Sequence, residues 1–301
     1  MAGDLSAATA TGNARQIAAL CRHLEFFAEH PPLAITPLAN GELNFNFLVE
    51  TRRGRYVVRR YPVQVSGVCR QQELRCQHAA AIAGIAPAPL CLNNHQQVLI
   101  SEFIDAGQPF VCSANSIPLL AGTLAQLHRL SAQTAVLQPL RYLQQQASIA
   151  GAEAAAGPLL ARVLAVAKQY QELPQDPVLC HLDLHAGNVL WAGRKVWLLD
   201  FEFAQRADSY LDLAAVALYF QLSEAAEQLL LSAYTQHRKA FAGPPPQLKV
   251  KWLLAKIVFS GFCWLWYLSL PQHTPDRLTQ LNCWQAKLEQ LLALQAAQTL
   301  C

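Results

Sequence analysis

One β-like island, from Val178 to Phe203, interrupts a chain that otherwise reads as helical from about residue 117 onward. Leu120, Leu124, Leu127 and Leu130 fall at helical spacing, and Ala/Leu/Gln-rich helical stretches follow at about 141–171, 222–240, 248–270 and 275–299. Within the island, Val189-Leu190-Trp191 and Val196-Trp197-Leu198-Leu199 flank Ala192-Gly193-Arg194-Lys195, a hairpin signal. Upstream the texture differs. Positions 33–61 read as strands: Asn44-Phe45-Asn46-Phe47-Leu48-Val49 alternates before turning fully apolar, Arg52-Arg53-Gly54 reads as a turn, and Tyr56-Val57-Val58 resumes with β-forming residues. The segment from Gly67 to Ala83 is helix-like, with Gly84 as its stop. Pro87 and Pro89 then break the chain, and Val98-Leu99-Ile100 reads as a short buried strand closed by Asp105-Ala106-Gly107. No internal repeat is visible, and Pro244-Pro245-Pro246 reads as a loop between helices. The sequence therefore predicts a small sheet-plus-one-helix lobe over 1–101, a connector at 102–107 and a larger, mostly helical lobe over 108–301. A cleft between two lobes is a common ligand site.

Composition narrows the function classes. Hydrophobic residues make up 53% of the 301 and charged residues 14%, which excludes disorder as the general state. The surplus of 23 Lys and Arg over 20 Asp and Glu is too small to argue for nucleic acid, which needs a concentrated basic face. Nine scattered cysteines form no C-x-x-C pair, so reduced thiols in a cytoplasmic protein are the simplest reading. Met1 to Gln16 lacks the apolar segment of a secretory signal. The apolar stretch from Trp252 to Leu270 is interrupted by Lys256 and diluted by Ser260, Gly261 and Ser269, so a buried helix is expected in place of a membrane span. No membrane and no protein partner are inferred.

The chemistry concentrates in Cys180-His181-Leu182-Asp183-Leu184-His185-Ala186-Gly187-Asn188-Val189, with Asp200 twelve residues after Asn188 in Leu198-Leu199-Asp200-Phe201-Glu202. Phosphoryl transfer needs a carboxylate near the attacking hydroxyl and oxygen ligands for magnesium. Asp183 can be the first, and Asn188 and Asp200 the second. The five-residue spacing of Asp183 and Asn188 is that of a kinase catalytic loop, and the hairpin is expected to return Asp200 beside it. A second reading takes His181, Asp183 and His185 as a metallohydrolase cluster, since alternate residues of a strand share a face. The other histidines are isolated, so a zinc site lacks obvious further ligands.

The run His-x-Asp-x-His-x-x-Asn followed by Asp-Phe-Glu resembles the aminoglycoside phosphotransferase and choline kinase family, which includes bacterial thiamine kinases. The resemblance spans roughly residues 35 to 270, and residues 181–202 carry it most specifically. It implies an α+β, bilobal protein-kinase-like fold, with a small antiparallel-sheet N-lobe and a larger helical C-lobe. It implies ATP and Mg²⁺ as donor and cofactor, and transfer of the γ-phosphoryl group to an alcohol. On that resemblance Asp183 is the catalytic base or hydroxyl-orienting group, Asn188 and Asp200 are magnesium ligands, and His181 and His185 are scaffold residues of the loop. Glu202 reads as an outer-shell or additional metal-site acid. His128, in Leu127-His128, is expected to pack against the loop, and Asp212, in Asp212-Leu213-Ala214, to brace the loop or cap a helix.

In the small lobe, Ala39 to Asn46 occupies the place of a nucleotide-covering loop, with Gly41 and Asn44 as its candidate residues. With only one glycine, an ordinary hairpin fits the segment equally well. Tyr56-Val57-Val58-Arg59 matches the family strand whose last residue holds the nucleotide phosphates, and an arginine fork suits phosphate oxygens. Arg60 points to the other face, so only one of the two reaches the cleft. Glu73 resembles the glutamate that pairs with that cation; its alternative is a solvated helix-face charge. Glu102 and Ile104 lie in Ser101-Glu102-Phe103-Ile104, which resembles the connector whose backbone bonds adenine.

For the acceptor, Ser260-Gly261-Phe262-Cys263-Trp264-Leu265-Trp266-Tyr267 resembles the aromatic helix with which choline kinases enclose a quaternary ammonium, although its spacing departs from the family's usual one. Trp264 and Tyr267, three apart, share a helix face, and each facing ring is worth about 0.5–2 kcal/mol to a cation. The alternative is a plain core helix. Thiamine, a cation with an alcohol arm, fits the same logic. The last hundred residues hold few acids beyond the metal site (Asp208, Asp212, Glu224, Glu227, Asp276, Glu289), which disfavours a polycationic aminoglycoside. The expectation is an ATP- and Mg-dependent kinase of a small cationic alcohol. An aminoglycoside-type phosphotransferase, a catalytically silent nucleotide-binding protein and the metallohydrolase are the alternatives.

Overall fold

The computed structural model describes residues 16–38, 44–61, 68–151, 157–238, 248–270 and 274–299. The chain divides into two compact units. One holds the described residues up to Pro109 together with Val189–Glu202; the other holds Phe110–Asn188 and the described residues from Phe203 onward.

In the first unit, β1 (Ala34–Pro37), β2 (Phe45–Glu50), β3 (Arg55–Arg60), β4 (Pro89–Asn93) and β5 (Val98–Glu102) form an antiparallel sheet in the order β1-β2-β3-β5-β4. Strand alternation decides what each face carries. Val58 sits opposite Phe47 on one side and Ile100 on the other. With Val49 and Val98 these residues face Ile17, Cys21, Leu24 and Phe27, which come from the helical residues 16–23 and the turn that follows. The period of two then turns Arg59 away from that core. Helix α1 (Arg70–Ile82) ends where Gly84 adopts φ +73°: its N–H and that of Ile85 return to the carbonyls of Ala81 and Ala80, closing the last turn. Of the helix-like stretch expected from Gly67, Gly67 itself lies outside the described residues.

The β-like island proves to be two structures. β7 (Pro177–Cys180) pairs with β10 (Gln205–Asp208) in the second unit, whereas β8 (Val189–Ala192) and β9 (Lys195–Leu198) join β6 (Gln108–Pro109) in the first. The β8–β9 turn is only Gly193-Arg194, with φ +58° and +65°, because a two-residue hairpin loop of this hand needs positive φ at both positions.

The rest of the second unit is helical: α2 (Ile117–Leu127), α3 (Pro139–Ile149), α4 (Gly157–Glu172), α5 (Ser209–Tyr219), α6 (Glu224–His237), α7 (Leu248–Ser269) and α8 (Pro275–Thr299). The expected stretch at 141–171 is two helices, α3 and α4, since Gly151 at φ +61° stops the first. Helix α7 packs against α3, α4, α5 and α8. It is long and apolar enough to cross a membrane by length and composition, yet most of its apolar stretch is buried within the protein. Its two inner charges are paired: Lys251 with Asp208 at 2.6 Å and Lys256 with Glu227 at 2.8 Å. Gly261 lets α3 and α4 approach, for a Cβ there would lie 2.8 Å from Val163 Cγ1 and 3.2 Å from Leu143 Cδ2.

Candidate functional site

In the second unit the loop between β7 and Asn188 is built around Asp212. As α5 leaves its Asp208 cap, Asp212 turns one carboxylate oxygen to the Leu182 N–H at 2.7 Å and the other to the His181 N–H at 2.8 Å and His128 Nε2 at 3.0 Å. The other ring nitrogen of His128 meets the Tyr234 hydroxyl at 2.7 Å. These bonds hold the chain where Leu182 takes φ +65° and the strand ends. His181, Asp183 and His185 therefore do not alternate along one strand face, as the metallohydrolase reading required. Among the described residues the trio with ligating atoms within 4.8 Å of one another is His128, Cys180 and Asp212. Burial pushes the Cys180 thiol far up, and the Asp212 carboxylate is spent on the loop, so neither is poised for a metal.

Asp183 presents its carboxylate from this loop with its side chain 17% exposed. Asn188 Nδ2 donates to Oδ2 at 2.8 Å and to the backbone carbonyl of Asp183 at 3.0 Å, while the Tyr219 hydroxyl donates to Oδ1 at 3.4 Å. His185 Nε2 stands 3.6 Å from Oδ2, and its Nδ1 accepts the Gly187 N–H. His181, fully buried, accepts the Asp183 N–H on Nδ1 at 3.3 Å. Tyr219 is a residue the sequence reading passed over. Burial, with Cys263 and Asp183 nearby, pushes its phenol far up, so it stays a neutral donor. Its ring meets Phe259, Trp284 and His185 edge-on, and its hydroxyl lies 3.6 Å from Cys263 Sγ. On the same helix as Cys263, Trp264 is 3% exposed in the core and Tyr267 is half-buried with its ring against Trp266.

In the first unit a second polar cluster forms on the face of β3 opposite the hydrophobic core. Arg59 Nη1 bonds Glu73 Oε1 at 3.1 Å and Asp200 Oδ1 at 2.5 Å, and its Nε bonds Asn46 Oδ1 at 3.1 Å. Arg60, on the other face, is exposed and donates to Gln16 Oε1 at 3.3 Å. Burial alone would lower the Arg59 guanidinium, but the Asp200 and Glu73 carboxylates outweigh it and hold it above the usual arginine range. Glu73 is fully buried in side chain, and burial pushes its carboxyl up against the pull of Arg59. Arg70, which the sequence reading did not single out, joins Glu73 Oε2 at 3.0 Å to Glu202 Oε2 at 3.1 Å. Asn44 Nδ2 donates to the same Glu202 oxygen at 3.0 Å. Burial and the neighbouring Asp200 charge push the Glu202 carboxyl up. Gly41 lies outside the described residues. Glu102 ends β5 as an exposed side chain that accepts the Ala88 N–H, and Ile104 is half-buried.

The donor set suits magnesium. Three carboxylates, Glu73, Asp200 and Glu202, stand against two guanidiniums, which leaves one negative charge in excess. Asn44 Oδ1 is a buried oxygen with no partner among the described residues. In the second unit, taken by itself, Asn188 donates its amide nitrogen to Asp183. Hard oxygen donors of this kind are what magnesium takes.

The model of the phosphotransferase enzyme family, APH, matches residues 34–246. Thiamine kinase of Escherichia coli (strain K12) is 29% identical over 196 residues, covering 64% of this chain and 68% of that protein, and thiamine kinase of Shigella boydii serotype 4 (strain Sb227) gives the same figures. Among solved structures, a choline/ethanolamine kinase family protein from Mesorhizobium loti superposes with TM-score 0.75 at 16% identity, over 92% of this chain and 94% of that one. Choline kinase LicA from Streptococcus pneumoniae also gives 0.75, at 17% identity, over 91% and 99%. These likenesses establish the α+β, protein-kinase-like fold.

Proposed function

The chain belongs to the phosphotransferase enzyme family, and from that premise we propose that it moves the γ-phosphoryl group of ATP, with Mg²⁺, onto the hydroxyl of a small cationic alcohol of thiamine or choline type. The observation that carries the reading is the Asp183 carboxylate, held at both oxygens by Asn188 and Tyr219 and still partly open to solvent. In the reaction Asp183 orients the acceptor hydroxyl and takes its proton. The acceptor oxygen bonds the γ-phosphorus, the bond to the β-phosphate oxygen breaks, and ADP leaves. Asn188 and Asp200 would hold the magnesium, with Glu202 adjoining. When bound, the ion supplies positive charge against the donor phosphates. Arg59 serves the donor phosphates and Glu73 holds Arg59; Gly41, Asn44 and the backbone at Glu102 and Ile104 serve the nucleotide. The division at a 102–107 connector and a cytoplasmic setting, where ATP is supplied, belong to the same proposal.

The thiamine kinase relatives favour thiamine as the first acceptor to try. Tyr267, half-buried, is the candidate ring for its cation, while Trp264, named with it from the sequence, is held in the core of the unit. Asp183→Ala should lower turnover of thiamine by about 10² or more, with the affinity for Mg²⁺ and a non-hydrolysable ATP analogue unchanged by calorimetry. Wild-type turnover in that variant would reject the assignment. A thermal-shift panel of thiamine, choline, ethanolamine and an aminoglycoside, with the analogue present, identifies the acceptor class, since a ligand that binds only the native state raises its melting temperature.

A further inference from the structure

Glu73 is a buried carboxylate with its two oxygens committed to different cations, Oε1 to Arg59 and Oε2 to Arg70. Its side chain has no exposure, so leaving it without a partner is costly. The reading above asks Arg59 to serve the donor phosphates, and any share of Arg59 drawn there is withdrawn from Glu73. Arg70 is the cation that remains. Its guanidinium lies over the Tyr61 ring, 3.5 Å from the centroid, and the same Nη1 reaches Glu202 Oε2 at 3.1 Å. Glu202 in turn holds Asn44. A flat guanidinium can stack on a ring and bond two carboxylates at once, whereas a lysine ammonium is a point charge with no such face.

We propose that Arg70 is a positioning residue for the phosphate donor: it ties Glu73 to Glu202, so that both carboxylates stay in place while Arg59 engages the triphosphate. The proposal rests on the donor reading of Arg59 and Asp200, and it adds a residue to it. Arg70 does not touch the nucleotide; it acts through Glu73 and Glu202.

The test is a double-mutant cycle on the full chain, read by calorimetric titration of Mg²⁺ and a non-hydrolysable ATP analogue, which needs no acceptor. Arg70→Lys keeps the charge and loses the stacked fork; it should raise the dissociation constant about tenfold. The melting temperature without nucleotide controls for folding. In an Arg59→Gln background, which leaves no cation at that position, Arg70→Lys should add nothing, because its role exists only when residue 59 turns a positive charge to the phosphates. An unchanged dissociation constant in Arg70→Lys overturns the proposal. Additive losses overturn it too, since they make Arg70 a direct phosphate ligand. If the wild-type chain does not bind the analogue at all, the donor reading itself falls, which is a distinct result.

Discussion

Asp212 organises the loop that carries Asp183, and it does so with three bonds on one carboxylate, two of them from backbone N–H groups. An asparagine of the same size would set an amide NH₂ against one of those donors. Asp212→Asn should therefore cost about 2 kcal/mol of folding stability, measured by urea denaturation, and should depress turnover through the displaced loop. A variant as stable and active as wild type would remove Asp212 from this role. The five-residue spacing of Asp183 and Asn188 in one loop was legible without knowledge of packing, whereas Asp212, on α5, was singled out by the resemblance of Asp212-Leu213-Ala214. Strand alternation showed that Arg59 and Arg60 face opposite ways, and the resemblance of Tyr56-Val57-Val58-Arg59 to the family strand chose Arg59, with Glu73 on the next helix. Arg70 and Tyr219 were not legible. The second partner of Arg70, Glu202, is 132 residues away, and nothing local distinguishes Arg70 from an exposed helix charge. Tyr219 closes an apolar helix and reads as core until its hydroxyl is seen beside Asp183.

At the scale of elements, α7 packs against four other helices of the second unit, and Gly261 is where α3 and α4 come close to it. Two effects oppose each other there. Replacing the glycine gains helix propensity, up to about 1 kcal/mol for alanine and less for a β-branched residue. Against this, the added carbon falls 2.8 Å from Val163 Cγ1, on the already close-packed α4. Overpacking of this kind costs about 1–3 kcal/mol. Gly261→Val, which adds branching as well as volume, should lower stability by about 2 kcal/mol; a melting temperature at or above wild type would show that α4 gives way freely. The apolar run and its burial were legible in α7, but the close approach was not, because it depends on which residues of α3 and α4 face it. The same limit explains the 141–171 stretch. Helix-forming composition runs through it, and α3 ends where Gly151 takes a positive φ. In the island, the hairpin turn was visible in Gly193-Arg194, while the partners of the strands were not. β8 pairs with Gln108–Pro109, some eighty residues earlier, and no periodicity records such a pairing.

For the whole molecule, the nine cysteines turn an argument about redox compartment into one about alkaline stability. Cys21 is fully buried in the sheet core and Cys76 within α1, and burial raises each thiol to about 11. An unfolded cysteine loses its proton near pH 8.5. Between that value and about 11 the unfolded chain is ionised at these positions and the native chain is not, so the unfolded state binds fewer protons. Stability must then fall as pH rises through this window, and the contribution of these thiols is whole below it. Buried Tyr210, raised to about 12, pushes in the same direction at the upper end. Urea midpoints should hold level from pH 7 to 8 and decline from pH 9 to 10.5. Cys21→Ala combined with Cys76→Ala should flatten part of that decline, though at a lower midpoint from lost packing. A thiol reagent at pH 8 should modify exposed Cys69 and Cys283 quickly and leave Cys21 and Cys76 intact until urea is added. Rapid modification of Cys21 and Cys76 in the native protein, or a midpoint that does not change to pH 10.5, would mean that these two thiols are open to water and that the sheet core is not packed as described.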